Sequence, residues 1–374
     1  MNEAEHTEKS RLTTSTRDRE SMRGRLQEWL AQTLPTGASP QISALVAPAN
    51  GLSSETVLFD VAWTDGGQRK DEALVARIAP EPSAVPVFPV YDLGREYRTI
   101  SLVAELSAVP VPEVLWYEPD AGPLGASFFV MRRVDGVVPP DNVPYCFAPC
   151  WLSDAGSDEQ SRLQAETVRT LAALHAIPAA TQAFDYLDPG GAGSALRRHV
   201  ESSRRYHDWV MGEARSPLLD RAFAWIEEHW PAVESEPTIS WGDSRIGNII
   251  YHDFRPAAVL DWEMASIAPP EVDLGWMVFW HRFFQDLAER YGLAGMPAFM
   301  RLADVVDTYR DASGAAPRDM EFFVTYAAIR SAVVMWRTTE RQVHFGDTER
   351  PSDPDDMITH RATLERMLDG TYWG

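Results

Sequence analysis

Residues 238–276 read TISWGDSRIGNIIYHDFRPAAVLDWEMASIAPPEVDLGW, and this stretch decides the fold. Asp243 is followed five residues later by Asn248 and, beyond two short apolar runs, by Asp261. Asn248-Ile249-Ile250-Tyr251 and Ala258-Val259-Leu260-Asp261 flank His252-Asp253-Phe254-Arg255-Pro256, a turn sequence. A hairpin closing symmetrically about Phe254-Arg255 pairs positions that sum to 509, which makes Asn248 and Asp261 direct cross-strand partners. Their side chains are then expected on one face, ~5 Å apart. An amide oxygen and a carboxylate converging there suit a hard, oxygen-preferring cation such as Mg²⁺. Asp243, on the loop opened by Gly242, is placed to reach a hydroxyl beside that metal. Phosphoryl transfer needs this set: one carboxylate for the attacking hydroxyl, and an Asn with a second carboxylate for the metal on the phosphates. Taken alone, the Asp243/Asn248 spacing is equally a tight turn with capping side chains. The hairpin and Asp261-Trp262-Glu263 favour the chemical reading.

Upstream, residues 40 to 132 have a strand-like texture. Val57, Phe59, Val61 and Trp63 alternate with polar or small residues, and Asp65-Gly66-Gly67 turns into Leu74–Ile78, a hairpin. Arg95–Leu106 reads as a helix, and Val114–Tyr117 and Ser127–Arg133 as strands. Leu26, Trp29, Leu30 and Leu34 form a leading helix stopped by Pro35. Beyond residue 137 the texture turns helical: 163–175, part of 211–230, then 271–291, 297–312, 318–345 and 353–369, with one hairpin region at 238–263. Trp276, Phe279, Trp280, Phe283 and Phe284 share one helix face, the mark of a core stripe.

The chain has 374 residues, with 34 basic and 55 acidic side chains and a formal net charge of −21. That length allows two domains or one two-lobed unit, and it buries a core without disulfides. The acidity excludes a chain-wide nucleic-acid partner, which needs a basic surface. Two cysteines, Cys146 and Cys150, are too few for a disulfide scaffold or a four-ligand zinc site. No apolar run reaches ~18 residues and the N-terminus lacks an apolar core, so no membrane partner and no secretory signal are expected, and the expected location is cytoplasmic. Only two residues, Lys9 and Lys70, are lysine, so a mechanism needing a buried lysine has almost no candidate.

Trp-Gly-Asp-Ser-Arg-Ile-Gly-Asn followed by Leu-Asp-Trp-Glu resembles the aminoglycoside phosphotransferase family. Within it, the motif is similar to an actinobacterial phosphotransferase branch related to the kinase domains fused to some acyl-CoA dehydrogenases. The resemblance covers roughly residues 23–370. It implies an α+β, protein-kinase-like bilobal fold, with a strand-rich N-terminal lobe and a mainly helical C-terminal lobe. The expected division is a disordered lead over 1–21, a nucleotide-binding lobe over 22–134 and a helical lobe with catalytic loop and substrate site over 135–374. The implied reaction moves the γ-phosphoryl group of ATP (GTP being the alternative nucleotide), with Mg²⁺, to a hydroxyl of a small molecule.

By position, the resemblance implies Asp243 as catalytic base and Asn248 and Asp261 as metal ligands. Asp273 matches a later Asp that supports the catalytic loop and caps the next helix. Gly51, Ser53, Ser54 and Thr56 match the phosphate-covering loop, and Glu96 the helix glutamate that anchors a phosphate-binding cation. In the linker Val130–Val134, adenine is expected on the Arg132 carbonyl and the Val134 N–H. Two positions depart from the family. Arg77 stands where Lys is usual, and its guanidinium can fork to Glu96 and to phosphate. Trp241 stands where His is frequent, as a packing support. Arg245 is a candidate to stabilise the transferring phosphoryl charge. His175 is expected as a packed histidine.

The acceptor is open. A polycationic aminoglycoside suits an acidic lobe. A hydroxyacyl-CoA, as the branch suggests, needs an arginine patch, for which Arg197, Arg198, Arg204 and Arg205 are candidates. A nucleotide-binding pseudokinase or scaffold is the alternative from another class, motivated by Arg77 and Trp241. No dimer signature is visible, and the oligomeric state is open.

Overall fold

The computed structural model describes residues 17–48 and 55–373. Gly51, Ser53 and Ser54, expected to cover phosphate, lie outside the described residues. The chain divides into two compact units. The first comprises Met1–Ser101, Pro112–Val134 and Arg341–Thr348; the second comprises Leu102–Val111, Asp135–Glu340 and Glu349–Gly374.

In the first unit, Asp18 accepts from the Ser21 N–H at 2.8 Å and starts helix α1 (Arg19–Thr33). Residues 19–21, expected in the disordered lead, are therefore its first turn. Strands β1 (Gln41–Ile42), β2 (Glu55–Asp65), β3 (Gln68–Ile78), β4 (Val114–Glu118) and β5 (Phe128–Arg132) form one antiparallel sheet in the order β1-β2-β3-β5-β4. The alternation in β2 turns Val57, Phe59, Val61 and Trp63 inward, where they join Leu26, Trp29 and Leu30 of α1 in one core. Each such side chain contributes about 1.5–3 kcal/mol by leaving water. Helix α2 (Leu93–Leu106), in this unit up to Ser101, carries Glu96 in its first turn.

The second unit holds helices α3 (Ser157–His175), α4 (Ala195–Met211), α5 (Pro217–Glu228), α6 (Glu271–Arg290), α7 (Leu302–Ser313), α8 (Met320–Phe345, to Glu340) and α9 (Arg361–Leu368). Between them lie β6 (Thr238–Ser240), β7 (Ile249–His252), β8 (Arg255–Val259) and β9 (Ser266–Ala268). β6 pairs with β9 and β7 with β8, all antiparallel. Helix α4 is not among the expected elements, because its arginines interrupt the apolar spacing of Leu196, Val200 and Met211. The single C-terminal helix expected over 353–369 is a 3-10 turn, Pro354–Met357, followed by α9. Among the described residues no helix is long and apolar enough to cross a membrane.

The expected hairpin register needs correction. Asp253 and Phe254 both have positive φ (49° and 59°), the geometry of a two-residue hairpin turn, so His252 faces Arg255. An irregularity between Ile250 and Tyr251 then sets Ile249 against Val259. The Leu260 N–H bonds the Asn248 carbonyl at 2.9 Å. Asn248 thus faces Leu260 and ends a short 3-10 turn, and Asp261 sits one residue past that pairing, so the two are not direct cross-strand partners.

Candidate active site

The loop Trp241–Asn248 leaves β6 through a bend that only glycine allows. Gly242 has φ +93°, and a Cβ there would lie 2.1 Å from the Met264 carbonyl oxygen. The loop is held from below by Asp273, in the first turn of α6. Its Oδ2 accepts from the Trp241 N–H at 2.7 Å, and its Oδ1 from Ser240 Oγ at 2.8 Å and the Gly242 N–H at 2.9 Å. His175 Nε2 lies 3.0 Å from Oδ2, and its Nδ1 lies 2.9 Å from the Tyr309 hydroxyl. Ser244 Oγ donates to the Asp273 carbonyl at 2.7 Å. Burial pushes the Asp273 carboxyl up, but His175 and the loop donors outweigh it and hold it below the usual carboxylate range. Asp273 supports the loop as expected, but it does not cap α6, whose N-cap is Pro270 with no side-chain cap.

On this support Asp243 is oriented from three sides. Trp276 Nε1 donates to Oδ1 at 2.7 Å, and Asn248 Nδ2 donates to Oδ2 at 2.6 Å. Arg245 Nε bridges both oxygens at 3.1 and 3.2 Å. Arg245 reaches away to Asp141 through Nη1, and its guanidinium lies 5.1 Å from the Trp280 ring centre. Burial works against the Arg245 charge, but Asp243 and Asp141 raise its pKa well above the ordinary value. Since the Asn248 amide nitrogen serves Asp243, its carbonyl oxygen is the atom that can serve a cation. Asp261, two residues past the end of β8, has φ +61°, a left-handed conformation that strand residues avoid and Asp tolerates. Trp241, buried where the resemblance implies a histidine, donates from Nε1 to the Leu260 carbonyl at 2.8 Å, so the indole supplies a hydrogen bond as well as packing.

In the first unit, Arg77 Nε meets Glu96 Oε1 at 2.8 Å, with side chains 12% and 3% exposed. Thr56 lies directly opposite Arg77 in the β2–β3 register. Lys70 sits at the exposed end of β3 and pairs with Asp65 at 2.6 Å, so the cation at the Glu96 position is arginine. The Arg132 side chain pairs with Glu72 and Glu113. The Arg133 N–H bonds the Ala73 carbonyl at 2.8 Å, whereas the Val134 N–H has no backbone acceptor among the described residues.

Two partners are not readable from sequence. Asp141 lies 102 positions before Asp243 with no motif around it. Trp276 reads as part of the core stripe; its spacing of three from Asp273 on one helix is the signal that could have found it. Three of the four arginines expected to bind a CoA ester, Arg197, Arg198 and Arg204, are engaged elsewhere. Arg197 pairs with Glu227 at 2.8 Å and stacks on Trp230, Arg198 pairs with Asp188 at 2.6 Å, and Arg204 pairs with Glu227 at 2.8 Å.

Comparison with known proteins places these features in context. The model of the phosphotransferase enzyme family matches residues 45–304, more than half of the chain. Acyl-CoA dehydrogenase family member 11 of Gallus gallus is 27% identical over 321 residues, which are 83% of this chain and 38% of that protein. The chain thus spans little more than a third of that relative's length. A provisionally assigned aminoglycoside phosphotransferase from Ralstonia eutropha superposes with a TM-score of 0.65 at 23% identity, over 94% of this chain and 98% of that one. A thermostable mutant of an aminoglycoside phosphotransferase, in ternary complex with AMP-PNP and hygromycin B, gives 0.53 at 14% identity, over 92% and 97%. At these identities the likeness is one of fold, which is the α+β, protein-kinase-like one.

Proposed function

Because the chain belongs to the phosphotransferase enzyme family, we propose that it transfers the γ-phosphoryl group of ATP to a hydroxyl of a small molecule. The observation that carries this reading is the Asp243 carboxylate, oriented by Trp276, Asn248 and Arg245 on a loop braced by Asp273. A carboxylate has about four acceptor positions. Trp276 and Asn248 take one on each oxygen through short bonds, and the bridging Arg245 contact is the longest of the set. An acceptor hydroxyl can therefore bond Asp243 at the cost of that contact. Asp243 aligns the hydroxyl oxygen and takes its proton as that oxygen bonds the γ-phosphorus and the bond from the γ-phosphorus to the β,γ-bridging oxygen breaks, with ADP as the leaving group. In this reading the freed Arg245 offsets charge on the transferring group.

The donor set fits Mg²⁺: the Asn248 carbonyl oxygen and the Asp261 carboxylate are hard oxygen ligands, and phosphates and waters complete such a site. When bound, the ion supplies neutralisation of phosphate charge. Arg77, paired with Glu96, is the candidate cation for the nucleotide phosphates, with Thr56 beside it. Nucleotide use is supported by the AMP-PNP complex of the structural relative. The Arg77–Glu96 pair also speaks against a pseudokinase, since the ion pair persists with arginine in the lysine's place.

The test is mass-spectrometric detection of phosphate transfer from MgATP to a panel of hydroxylated acceptors. Aminoglycosides, hydroxyacyl thioesters and simple polyols form its three arms. Asp243→Asn is expected to lower kcat per folded protein by about 10²–10⁴-fold, with the folded fraction read separately by thermal unfolding. Unchanged transfer in that variant would refute the assignment.

A further inference from the structure

Arg330, on α8, is a buried cation that the transfer scheme does not use. It is 8% exposed, and among the described residues no carboxylate pairs with it and its Nη1 has no hydrogen-bond partner. Its guanidinium lies 4.6 Å from the centre of the Trp276 ring and 5.8 Å from that of Tyr326. Tyr326 is itself fixed, its hydroxyl 2.8 Å from His199 Nδ1 and 2.9 Å from Ser203 Oγ, both on α4. Burial lowers the Arg330 pKa, while Tyr326, Asp273 and Asp243 support its charge.

A guanidinium buried without a carboxylate is costly, and aromatic faces return only part of that cost. An apolar side chain would fill the same space with less penalty, so stability does not account for arginine here. Its position does. The ring it covers is the one whose N–H holds Asp243 Oδ1 at 2.7 Å. A cation over an indole face polarises the ring and strengthens its N–H as a donor. The stack also fixes the ring plane and hence the direction of that N–H.

We propose that Arg330 is a positioning residue for phosphoryl transfer, clamping the Trp276 indole by its face so that Nε1–H holds the Asp243 carboxylate in its reactive orientation. This rests on the reading of Asp243 as the group that meets the acceptor hydroxyl.

The test uses the full chain labelled with ¹⁵N-indole tryptophan, the Trp276 signal being assigned by its loss in Trp276→Phe. Arg330→Met is expected to move the Trp276 indole N–H signal towards that of a free indole. In the same variant kcat for MgATP turnover, with water or the identified hydroxyl as acceptor, falls about tenfold or more, while KM for ATP stays within about twofold. Arg330→Lys keeps the charge without the planar stack and recovers part of both effects. A Trp276 signal and kcat unchanged in Arg330→Met overturn the proposal, as does a loss of kcat in both variants that merely tracks unfolded protein. If Asp243→Asn leaves turnover intact, the transfer reading falls and the proposal with it. That failure is recognisable because the indole signal then responds to Arg330 while turnover responds to neither residue.

Discussion

Gly242 shows how much of the site hangs on one backbone angle. With φ at +93° and the Met264 carbonyl 2.1 Å from where a Cβ would stand, Gly242→Ala forces the loop off Asp273. We expect a loss of about 3 kcal/mol in the unfolding free energy, read by urea titration. Residues whose chemistry is local are legible in the sequence. Asp243 and Asn248 declare themselves by spacing, and the fold brings Asn248 Nδ2 within 2.6 Å of Asp243. Arg77 and Glu96 are paired by motif and meet at 2.8 Å. Asp141 and Arg330 are not legible, because an isolated Asp or Arg carries no periodicity to mark it. Only the fold decides that one holds Arg245 and the other covers Trp276.

The elements follow their patterns where one face is buried and the other wet. The β2–β3 hairpin obeys the period of two, since each inward residue gains by burial and a slip of one would expose them all. The β7–β8 hairpin does not keep its expected register. A two-residue turn at Asp253-Phe254 and an irregularity after Ile250 shift Asn248 opposite Leu260, and neither leaves a mark in hydrophobic order. The aromatic face of α6 reads as core, and one of its rings also serves the site. That dual use depends on how closely α6 approaches α8. A Cβ on Gly275 would lie 2.5 Å from the Phe323 carbonyl oxygen. Alanine is the better helix former by about 1 kcal/mol, but the clash with rigid backbone outweighs that gain. Gly275→Ala is therefore expected to lower stability by roughly 2 kcal/mol and to disturb the Trp276 indole signal, measured by thermal unfolding and by the labelled spectrum.

At the scale of the whole molecule, three buried histidines among the described residues contribute to the response to acid. Burial pushes His199 and His281 down to about 3 and His360 down to about 4. Each is neutral in the folded chain and titrates near 6.5 when unfolded, so the unfolded state binds more protons as pH falls. Their stabilisation is complete above that unfolded value and is lost as pH falls towards the folded values of about 3 and 4. Between pH 7 and 5 the loss is about 2 kcal/mol per histidine, which urea unfolding at the two pH values measures directly. A stability that does not fall over this range would mean that these rings are not buried neutral. The net charge of −21, by contrast, does not select an acceptor, because charge summed over a surface says nothing about the few groups around Asp243. The scarcity of lysine is more telling, since it leaves Arg77 to meet Glu96. By itself the sequence determined the strand-rich and helical halves and the Asp243/Asn248 spacing, because periodicity and spacing are local properties of a chain, and its motif carried the family resemblance that implied the fold class. The hairpin register, the Arg245–Asp141 pairing and the Arg330–Trp276 clamp were decided only by tertiary structure, because each joins side chains whose meeting depends on how distant segments pack.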